Sequence, residues 1–204
     1  PIFCDINLNN FSFCEENLEY IAEKHPDIKL IFITHLIGYP ANRDKYAELF
    51  PKALLLDDVC ESHGCKNPDG SKVGSNSLGS TFSFYFGHHI STIEGGMIST
   101  DNFDLYDLMR MKRSHGLARE SERFEGYMFQ YPEISKQFMF VTDGYNFRNN
   151  ELGAVLGISQ LKRLDKYIEI RNQNYLKFIN LIKNYSDYFA VPEYNDNVSN
   201  FCLP

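Results

Sequence analysis

The chain has 204 residues, of which 43% are hydrophobic and 15% aromatic, and its formal net charge is −7. That is enough apolar material for one globular domain and the start of a second. Because the basic residues are scattered, the sequence excludes a nucleic-acid-binding stripe, and no apolar run reaches the ~18 residues that a membrane span requires.

The first third of the chain alternates apolar runs with helical patterns. The run at 29–34 is short and rich in β-branched residues, which is typical of a strand covered on both faces. One helix is predicted from the capping-box spacing Ser12-x-x-Glu15, and another ends at Pro51. We predict strands at 1–6, 29–34 and 53–58, a helix at 42–50, and a polar loop at 65–77.

The rest of the chain begins with the same alternation and then changes character. Strands alternating with helices predict an α/β fold with a largely parallel sheet. Residues 117–143 are charged and aromatic without a period, so they are predicted to form an excursion over the surface. We predict strands at 81–86 and 97–100, a helix at 103–113, and one long amphipathic helix or two in tandem over 152–182.

Two acidic side chains stand at the end of one of these strands. Asp57 and Asp58 end an apolar strand, at the place where α/β sheets bind ligands. An acid pair at a strand end is by itself more often structural. The next predicted strand, 81–86, overlaps the segment Ser83-Phe-Tyr-Phe-Gly-His-His-Ile-Ser-Thr-Ile-Glu-Gly-Gly96, whose glycine pair permits a sharp turn and close backbone approach.

Three motifs identify a family resemblance. They are 57–64 (Asp-Asp-Val-Cys-Glu-Ser-His-Gly), the loop 83–96, and 143–148 (Asp-Gly-Tyr-Asn-Phe-Arg). Together they resemble the DegT/DnrJ/EryC1/StrS sugar aminotransferases, whose cofactor loop reads Ser-Phe-x-x-x-Lys. Here His88 stands where that family has its Schiff-base lysine. The sequence therefore resembles the histidine-bearing subset of the family, the nucleotide-sugar 3-dehydratases.

The resemblance implies a fold and a domain organisation. The expected fold is the large domain of a fold-type I aminotransferase that uses pyridoxal phosphate (PLP), with a mostly parallel mixed sheet flanked by helices. Residues 1–165 would form the central part of this domain. Residues 166–204 would form a linking helix and the start of a small C-terminal domain, so we expect the chain to be a piece of a longer protein.

The resemblance also implies roles for individual residues. Asp58 would pair with the ring nitrogen of the cofactor, and Ser83 would bind its phosphate. Glu61 stands where relatives often carry a glutamine that contacts the ring hydroxyl. Asn146 would reach the cofactor phosphate of the neighbouring subunit, which implies a homodimer with shared active sites. His88 would be the catalytic base.

The implied activity is removal of the C3 hydroxyl from a nucleotide-linked 4-keto-6-deoxyhexose, with GDP-4-keto-6-deoxy-D-mannose as the expected substrate. An imidazole cannot bond covalently to the cofactor as lysine does. PLP and its amine form, pyridoxamine phosphate (PMP), would therefore be held non-covalently, and glutamate would supply the amine. The expected setting is cytoplasmic deoxysugar synthesis of the colitose type, for the O-antigen of lipopolysaccharide.

Several alternatives stay open at this point. The chain would be an aminotransferase if another lysine, such as Lys72 or Lys112, took the missing role. It would be a non-catalytic dimeric protein if the cofactor site had decayed. The catalytic base would be His88 or its neighbour His89, and counting from Ser83 favours His88.

The cysteines weigh against metal cofactors. Five cysteines in a chain of this size favour a reducing compartment over a disulfide scaffold. Cys60-x-x-His63-x-Cys65 lacks an evident fourth zinc ligand. In the resembled family, one branch carries an iron–sulfur cluster with ligands well downstream. Here no cysteine lies between Cys65 and Cys202, so we expect no metal.

Overall fold

A computed structural model describes residues 1–200 and divides the chain into two compact units. The first unit contains Pro1–Ile98 together with the described residues from Leu152 onward, and the second contains Ser99–Glu151. The predicted boundary after residue 165 stays a prediction. In the described part of the chain, no helix has the length and apolar character needed to cross a membrane.

A four-stranded sheet forms the centre of the first unit. Its strands are β1 (Leu30–Thr34), β2 (Leu54–Asp58), β3 (Gly79–Ser83) and β4 (Gly96–Ser99), in that spatial order. The β1–β2 and β2–β3 pairs are parallel. The predicted α/β class with a mostly parallel mixed sheet is confirmed. The third strand begins and ends earlier than the 81–86 that the apolar pattern predicted.

The sheet is covered on one face at β1. Ile31 and Ile33 of this strand are buried, whereas Leu30 and Phe32 are about half exposed. The prediction that this run is covered on both faces is therefore wrong within this chain. Alternate side chains of a strand point to opposite faces, so only one of the two faces meets the core.

Two helices pack on the covered face. They are α1 (Glu15–Lys24) and α2 (Arg43–Leu49), and they form one apolar core with β1. The predicted capping box is wrong, because α1 begins after Cys14 without a side-chain cap. The Ser12 hydroxyl instead accepts a hydrogen bond from the backbone N–H of Asn42 at 3.1 Å.

The predicted strand at 1–6 is not formed. Its only ladder contact within the described residues is a single bridge between Ile6 and Phe13. Phe3 is 88% exposed, and Ile2 is also exposed. An apolar run without an adjacent strand has no ladder to join, and the sequence pattern cannot show whether such a neighbour exists.

Two helices in tandem, rather than one long helix, cover the region from residue 151 to residue 182. They are α5 (Glu151–Leu161) and α6 (Leu164–Ile182), which confirms the tandem alternative. The hydroxyls of Tyr39 and Tyr175 lie 2.7 Å apart and connect α6 to the chain segment after β1. Beyond α6, the irregular residues 197–200, here called the strap, return to the core of the unit, where Val198, Ser199 and Asn200 are buried.

The second unit contains α3 (Phe103–Arg113), whose predicted bounds are confirmed, and α4 (Phe124–Gln130). The side chain of Asn102 caps α3 by accepting from the backbone N–H of Leu105 at 2.9 Å. The 117–143 region was predicted to lack regular structure, and α4 corrects this. None of its residues is buried, so no apolar period marks this helix in the sequence.

Candidate functional site

Three polar side chains share one face of the sheet at the carboxyl ends of β2 and β3. Asp58 pairs in register with Thr81, and Ser83 lies two residues further along the same strand. The Oδ1 atom of Asp58 accepts from the backbone N–H of Cys60 at 3.0 Å and from the Thr81 hydroxyl at 3.4 Å. Because residues i and i+2 of a strand point the same way, Asp58 and Ser83 face the same space.

Asp57 points to the opposite face and is buried. Its Oδ1 atom lies 3.5 Å from Nε2 of His35 and 3.8 Å from Nε of Arg43, which is too long for hydrogen bonds but close enough for charge attraction. Nδ1 of His35 accepts from the backbone N–H of Ala41 at 3.0 Å, so in neutral His35 the ring proton is on Nε2, toward Asp57.

The loop after β3 is closed by its own main chain. The backbone N–H of Phe84 donates to Gly95 at 2.9 Å, and that of Thr92 donates to Phe84 at the same distance. At the start of the loop, the Ser83 hydroxyl accepts from the backbone N–H of Tyr85 at 3.3 Å. The backbone N–H of His88 donates to the Tyr85 carbonyl at 3.0 Å, which fixes the middle of the loop.

The two adjacent histidines of this loop have different environments. His88 is partly exposed, whereas His89 is only 5% exposed. The Nε2 atom of His89 lies 2.8 Å from the carbonyl oxygen of Ser199 in the strap. Burial lowers the pKa of His89 to about 4, so its imidazole is neutral at physiological pH.

A third histidine, His63, lies beside this pair. Its ring is 4% exposed and contacts the rings of Phe82, Phe84, His88 and His89 at centroid distances of 5.7, 6.0, 6.5 and 5.8 Å. Burial and the two neighbouring imidazoles lower the pKa of His63 to about 4. Neither of its ring nitrogens has a hydrogen-bond partner among residues 1–200.

The sequence places His63 in the family motif at 57–64 and in a possible zinc site, but it does not predict that the ring lies beside His88. The backbone on both sides of this ring is held firmly. The Ser62 hydroxyl donates to the His35 carbonyl, and at Gly64 a Cβ atom would lie 2.3 Å from Cδ1 of Ile168 on α6. The available sequence signal was the spacing of the His-Gly pair after the strand, which does not indicate what the ring would contact.

The side chain of Glu61 hydrogen-bonds the backbone after β1. Its Oε2 atom accepts from the backbone N–H of Ile37 at 2.9 Å. Ile37 has a φ of +46°, a conformation that β-branched residues rarely adopt. A contact between Glu61 and a cofactor ring hydroxyl stays a prediction.

Asn146 lies on the surface of the second unit. It forms an isolated antiparallel bridge with Ser114, and its Oδ1 atom accepts from Nε of Arg148 at 3.2 Å. Within the same motif, a Cβ atom at Gly144 would lie 2.2 Å from the backbone nitrogen of Gly116. Glycine is therefore required there, because two backbone segments meet without room for a side chain.

The cysteines considered as zinc ligands are engaged elsewhere. The Sγ atom of Cys65 lies 3.4 Å from the Gly38 carbonyl and 3.1 Å from that of Asn197, and burial raises the pKa of this thiol to about 12. Burial also raises the pKa of Cys60 to about 12. No three His, Cys, Asp or Glu side chains within residues 1–200 are arranged to hold a metal ion.

Comparison with known proteins shows which proteins this chain is similar to. Residues 1–204 match a family model described as the DegT/DnrJ/EryC1/StrS aminotransferase family. Over 188 residues the chain is 34% identical to the GDP-4-keto-6-deoxy-D-mannose 3-dehydratase of Yersinia pseudotuberculosis, covering 90% of this chain and 47% of that protein.

Two solved structures share the fold. Escherichia coli GDP-4-keto-6-deoxy-D-mannose-3-dehydratase with bound hydrated PLP matches with a TM-score of 0.82 and 31% identity, covering 98% of this chain and 51% of that one. A GDP-4-keto-6-deoxymannose-3-dehydratase with a trapped PLP-glutamate geminal diamine matches with a TM-score of 0.81 and 30% identity, covering 97% and 51%. The chain thus spans about half the length of these relatives.

Proposed function

The chain belongs to the DegT/DnrJ/EryC1/StrS aminotransferase family, and from that premise we propose that it forms the central part of a PLP/PMP-dependent 3-dehydratase. The enzyme would remove the C3 hydroxyl of a nucleotide-linked 4-keto-6-deoxyhexose, with GDP-4-keto-6-deoxy-D-mannose as the substrate. The observation that carries this proposal is the partly exposed His88, in place of a lysine, in the loop that begins at Ser83.

The residues present fit such a cofactor. Asp58 is partly exposed and its carboxylate has about four acceptor positions, so it can accept from a protonated ring nitrogen besides its bonds to Cys60 and Thr81. The Ser83 hydroxyl is used there only as an acceptor, so its O–H can donate to a phosphate. Both side chains face the same space, as one bound ring with its phosphate requires.

When bound, PMP would supply an amine that condenses with the sugar's 4-keto group and a ring that withdraws electrons from the carbon being deprotonated. Asp58 would keep the ring nitrogen protonated by placing a negative charge beside it. His88 would take the proton, because the ring nitrogen of an accessible imidazole can act as a general base.

His88 is assigned as the base in preference to His89. A general base needs access to the proton that it removes. His89 is buried and Nε2 of its ring faces the Ser199 carbonyl, whereas His88 is partly exposed.

The aminotransferase alternative requires a lysine at the site. Lys72 donates to the Gly64 carbonyl at 3.3 Å and lies 3.7 Å from Asp165. Lys112, in the second unit, contacts Asp143 at 2.7 Å. Both amines are engaged in other contacts, which favours the dehydratase.

The proposal includes a non-covalent cofactor, glutamate as amine donor, a homodimer in which Asn146 reaches the partner's site, and a cytoplasmic location in O-antigen synthesis. The relatives' complexes with PLP and with PLP and glutamate support the cofactor and the amine donor. The exposed position of Asn146 supports its contact with a partner subunit. Within residues 1–200 the cysteines are free thiols, which suits a reducing compartment.

The full-length protein, incubated with PLP, glutamate and GDP-4-keto-6-deoxymannose, tests this proposal. We expect ammonia and a deoxygenated keto sugar in equal amounts, measured by an enzymatic ammonia assay and mass spectrometry. An amino sugar as the sole product would establish the aminotransferase instead. Absence of both turnover and cofactor binding would establish a non-catalytic protein.

A further inference from the structure

His89 joins two parts of the first unit that are far apart in sequence. Its Nε2 atom lies 2.8 Å from the carbonyl oxygen of Ser199, 110 positions further along the chain. A carbonyl oxygen can only accept, so Nε2 carries the proton in this contact. The buried imidazole therefore has a fixed tautomer and a fixed direction for its N–H.

The acceptor is itself immobilised. Ser199 is fully buried, and its backbone N–H donates to the Gly38 carbonyl at 2.8 Å. The carbonyl of the preceding Val198 accepts from Nδ2 of Asn172 on α6 at 2.9 Å. The strap is thus held from the segment after β1 and from the long helix at once.

The hydrogen bonds that close the loop around His88 are largely local. Phe84, Thr92 and Gly95 bond to one another within the loop, which defines its shape but not its position relative to the rest of the unit. The hydrogen bond from His89 to the strap connects the loop to the rest of the unit. The Cα atoms of consecutive residues are ~3.8 Å apart, so fixing the His89 ring restricts the backbone of His88 directly.

We propose that His89 is a positioning residue, which holds the base His88 in place by fastening the cofactor loop to the strap. This role rests on the proposed function, in which His88 moves a proton. The groups that act on His89 include the imidazole of His88, the guanidinium of Arg171 on α6 and the backbone of Asn200, and the ring of His63 lies beside it.

Two substitutions in the full-length protein test the positioning role. His89→Leu keeps a side chain of similar bulk but has no donor, whereas His89→Gln keeps an N–H near the position of Nε2. In His89→Leu we expect kcat to fall about 100-fold, as for a displacement of ~1 Å, while KM and the Kd for PLP change less than about threefold. His89→Gln should recover most of this loss, and His25→Leu, at an exposed histidine, is the matched control.

Hydrogen exchange provides a readout that does not depend on activity. In protein without cofactor, the amides of Ser199 and His88 should exchange at least about tenfold faster in His89→Leu than in the wild type, and His89→Gln should restore their protection. If His89→Leu does not fold, Asn172→Ala loosens the strap from the other side and should lower kcat about tenfold.

The outcomes separate the two proposals. Unchanged kcat in His89→Leu overturns the positioning role, with or without faster exchange, and so does a parallel loss of kcat, PLP affinity and thermal stability. Faster exchange with a selective loss of kcat supports it. A wild-type protein that turns over no substrate overturns the proposed function, and the positioning role with it.

Discussion

Asp57 and Asp58 are consecutive residues whose carboxylates lie on opposite faces of the sheet. Asp57 is buried against His35 and Arg43, whereas Asp58 is partly exposed beside Thr81. The two neighbouring acids therefore have different surroundings: Asp57 lies near the imidazole of His35 and the guanidinium of Arg43, and Asp58 is partly exposed.

We expect Asp57→Ala and Asp58→Asn to affect different properties. Asp57→Ala should lose about 3 kcal/mol of unfolding free energy, because it removes a buried carboxylate from beside the largely buried guanidinium of Arg43. Asp58→Asn should lose less than about 1 kcal/mol but bind PLP at least about tenfold more weakly, because a charge-assisted hydrogen bond is lost. Urea unfolding without cofactor and a PLP absorbance titration measure the two effects. The reverse pattern would contradict the assignment of Asp58 as the cofactor ligand.

The chemistry at His88 can be redirected by substitution. His88→Lys introduces an amine that can bond covalently to PLP, so we expect the product to shift from a deoxygenated sugar toward an amino sugar. Borohydride reduction followed by mass spectrometry should then show the cofactor attached to this residue. His88→Asn, which has neither base nor amine, is the control and should form neither product at more than about 1% of the wild-type rate, since a general base contributes about 100-fold or more. Full dehydration by His88→Lys would show that His88 is not the base.

Acid should destabilise the protein through two buried histidines. The pKa values of His63 and His89 are lowered to about 4 in the folded state, against about 6.5 for an unfolded chain. Between these values the unfolded state binds more protons, so the free energy of unfolding falls as pH falls from 6.5 to 4. Above pH 6.5 both states are neutral at these groups, and their contribution is constant.

The test compares urea unfolding of the wild type and His63→Leu at pH 7 and pH 4.5. Each group contributes at most on the order of 3 kcal/mol, and the two are not additive because they interact. We expect the pH-dependent loss to be about 2 kcal/mol smaller in His63→Leu. His25→Leu removes an exposed histidine and should retain the wild-type slope. Equal slopes in all three proteins would show that His63 is not held neutral by burial.

A close contact at Gly64 should be measurable as a coupling energy. Gly64 has a φ of +79°, and an added Cβ would meet Cδ1 of Ile168 at 2.3 Å. Gly70 has a φ of +85° with nothing within 4 Å of an added Cβ. Gly70→Ala should therefore cost only the backbone strain, about 1 kcal/mol, and Gly64→Ala about 2–3 kcal/mol.

Ile168→Val removes the clashing methyl group. In a double-mutant cycle it should recover about 1 kcal/mol of the Gly64→Ala loss, measured by thermal or urea unfolding. Equal losses for Gly64→Ala and Gly70→Ala would mean that α6 does not press on this turn.

The parts of the fold that the sequence predicts are those with an uninterrupted period or a cap. The strand that ends at Asp58 and the helix capped by Asn102 are confirmed because local apolar pattern and polar termini agree. The predicted strand at 1–6 is wrong because a strand forms only where a neighbouring strand can pair with it. The helix Phe124–Gln130 was not predicted, because it buries none of its side chains and so has no apolar period.

The site shows the same division between local and distant information. Asp58 was found because it ends a strand at the edge where α/β sheets bind ligands, and Ser83 because it begins a loop that resembles the family's cofactor loop. The contact of His89 with Ser199 joins positions 110 residues apart, and no local pattern encodes such a pairing. The same holds for the ring of His63, whose neighbours come from separate segments.

The strap also bears on how the protein can be dissected. Ser199 and Val198 are buried together with residues from the first third of the chain, through Gly38 and Cys65 on one side and α6 on the other. A separately expressed fragment that stops at the predicted boundary after residue 165 would lack Ser199, which accepts from His89. It would also lack Tyr175, which hydrogen-bonds Tyr39. A fragment that keeps the contact between His89 and the strap must therefore extend at least to Ser199.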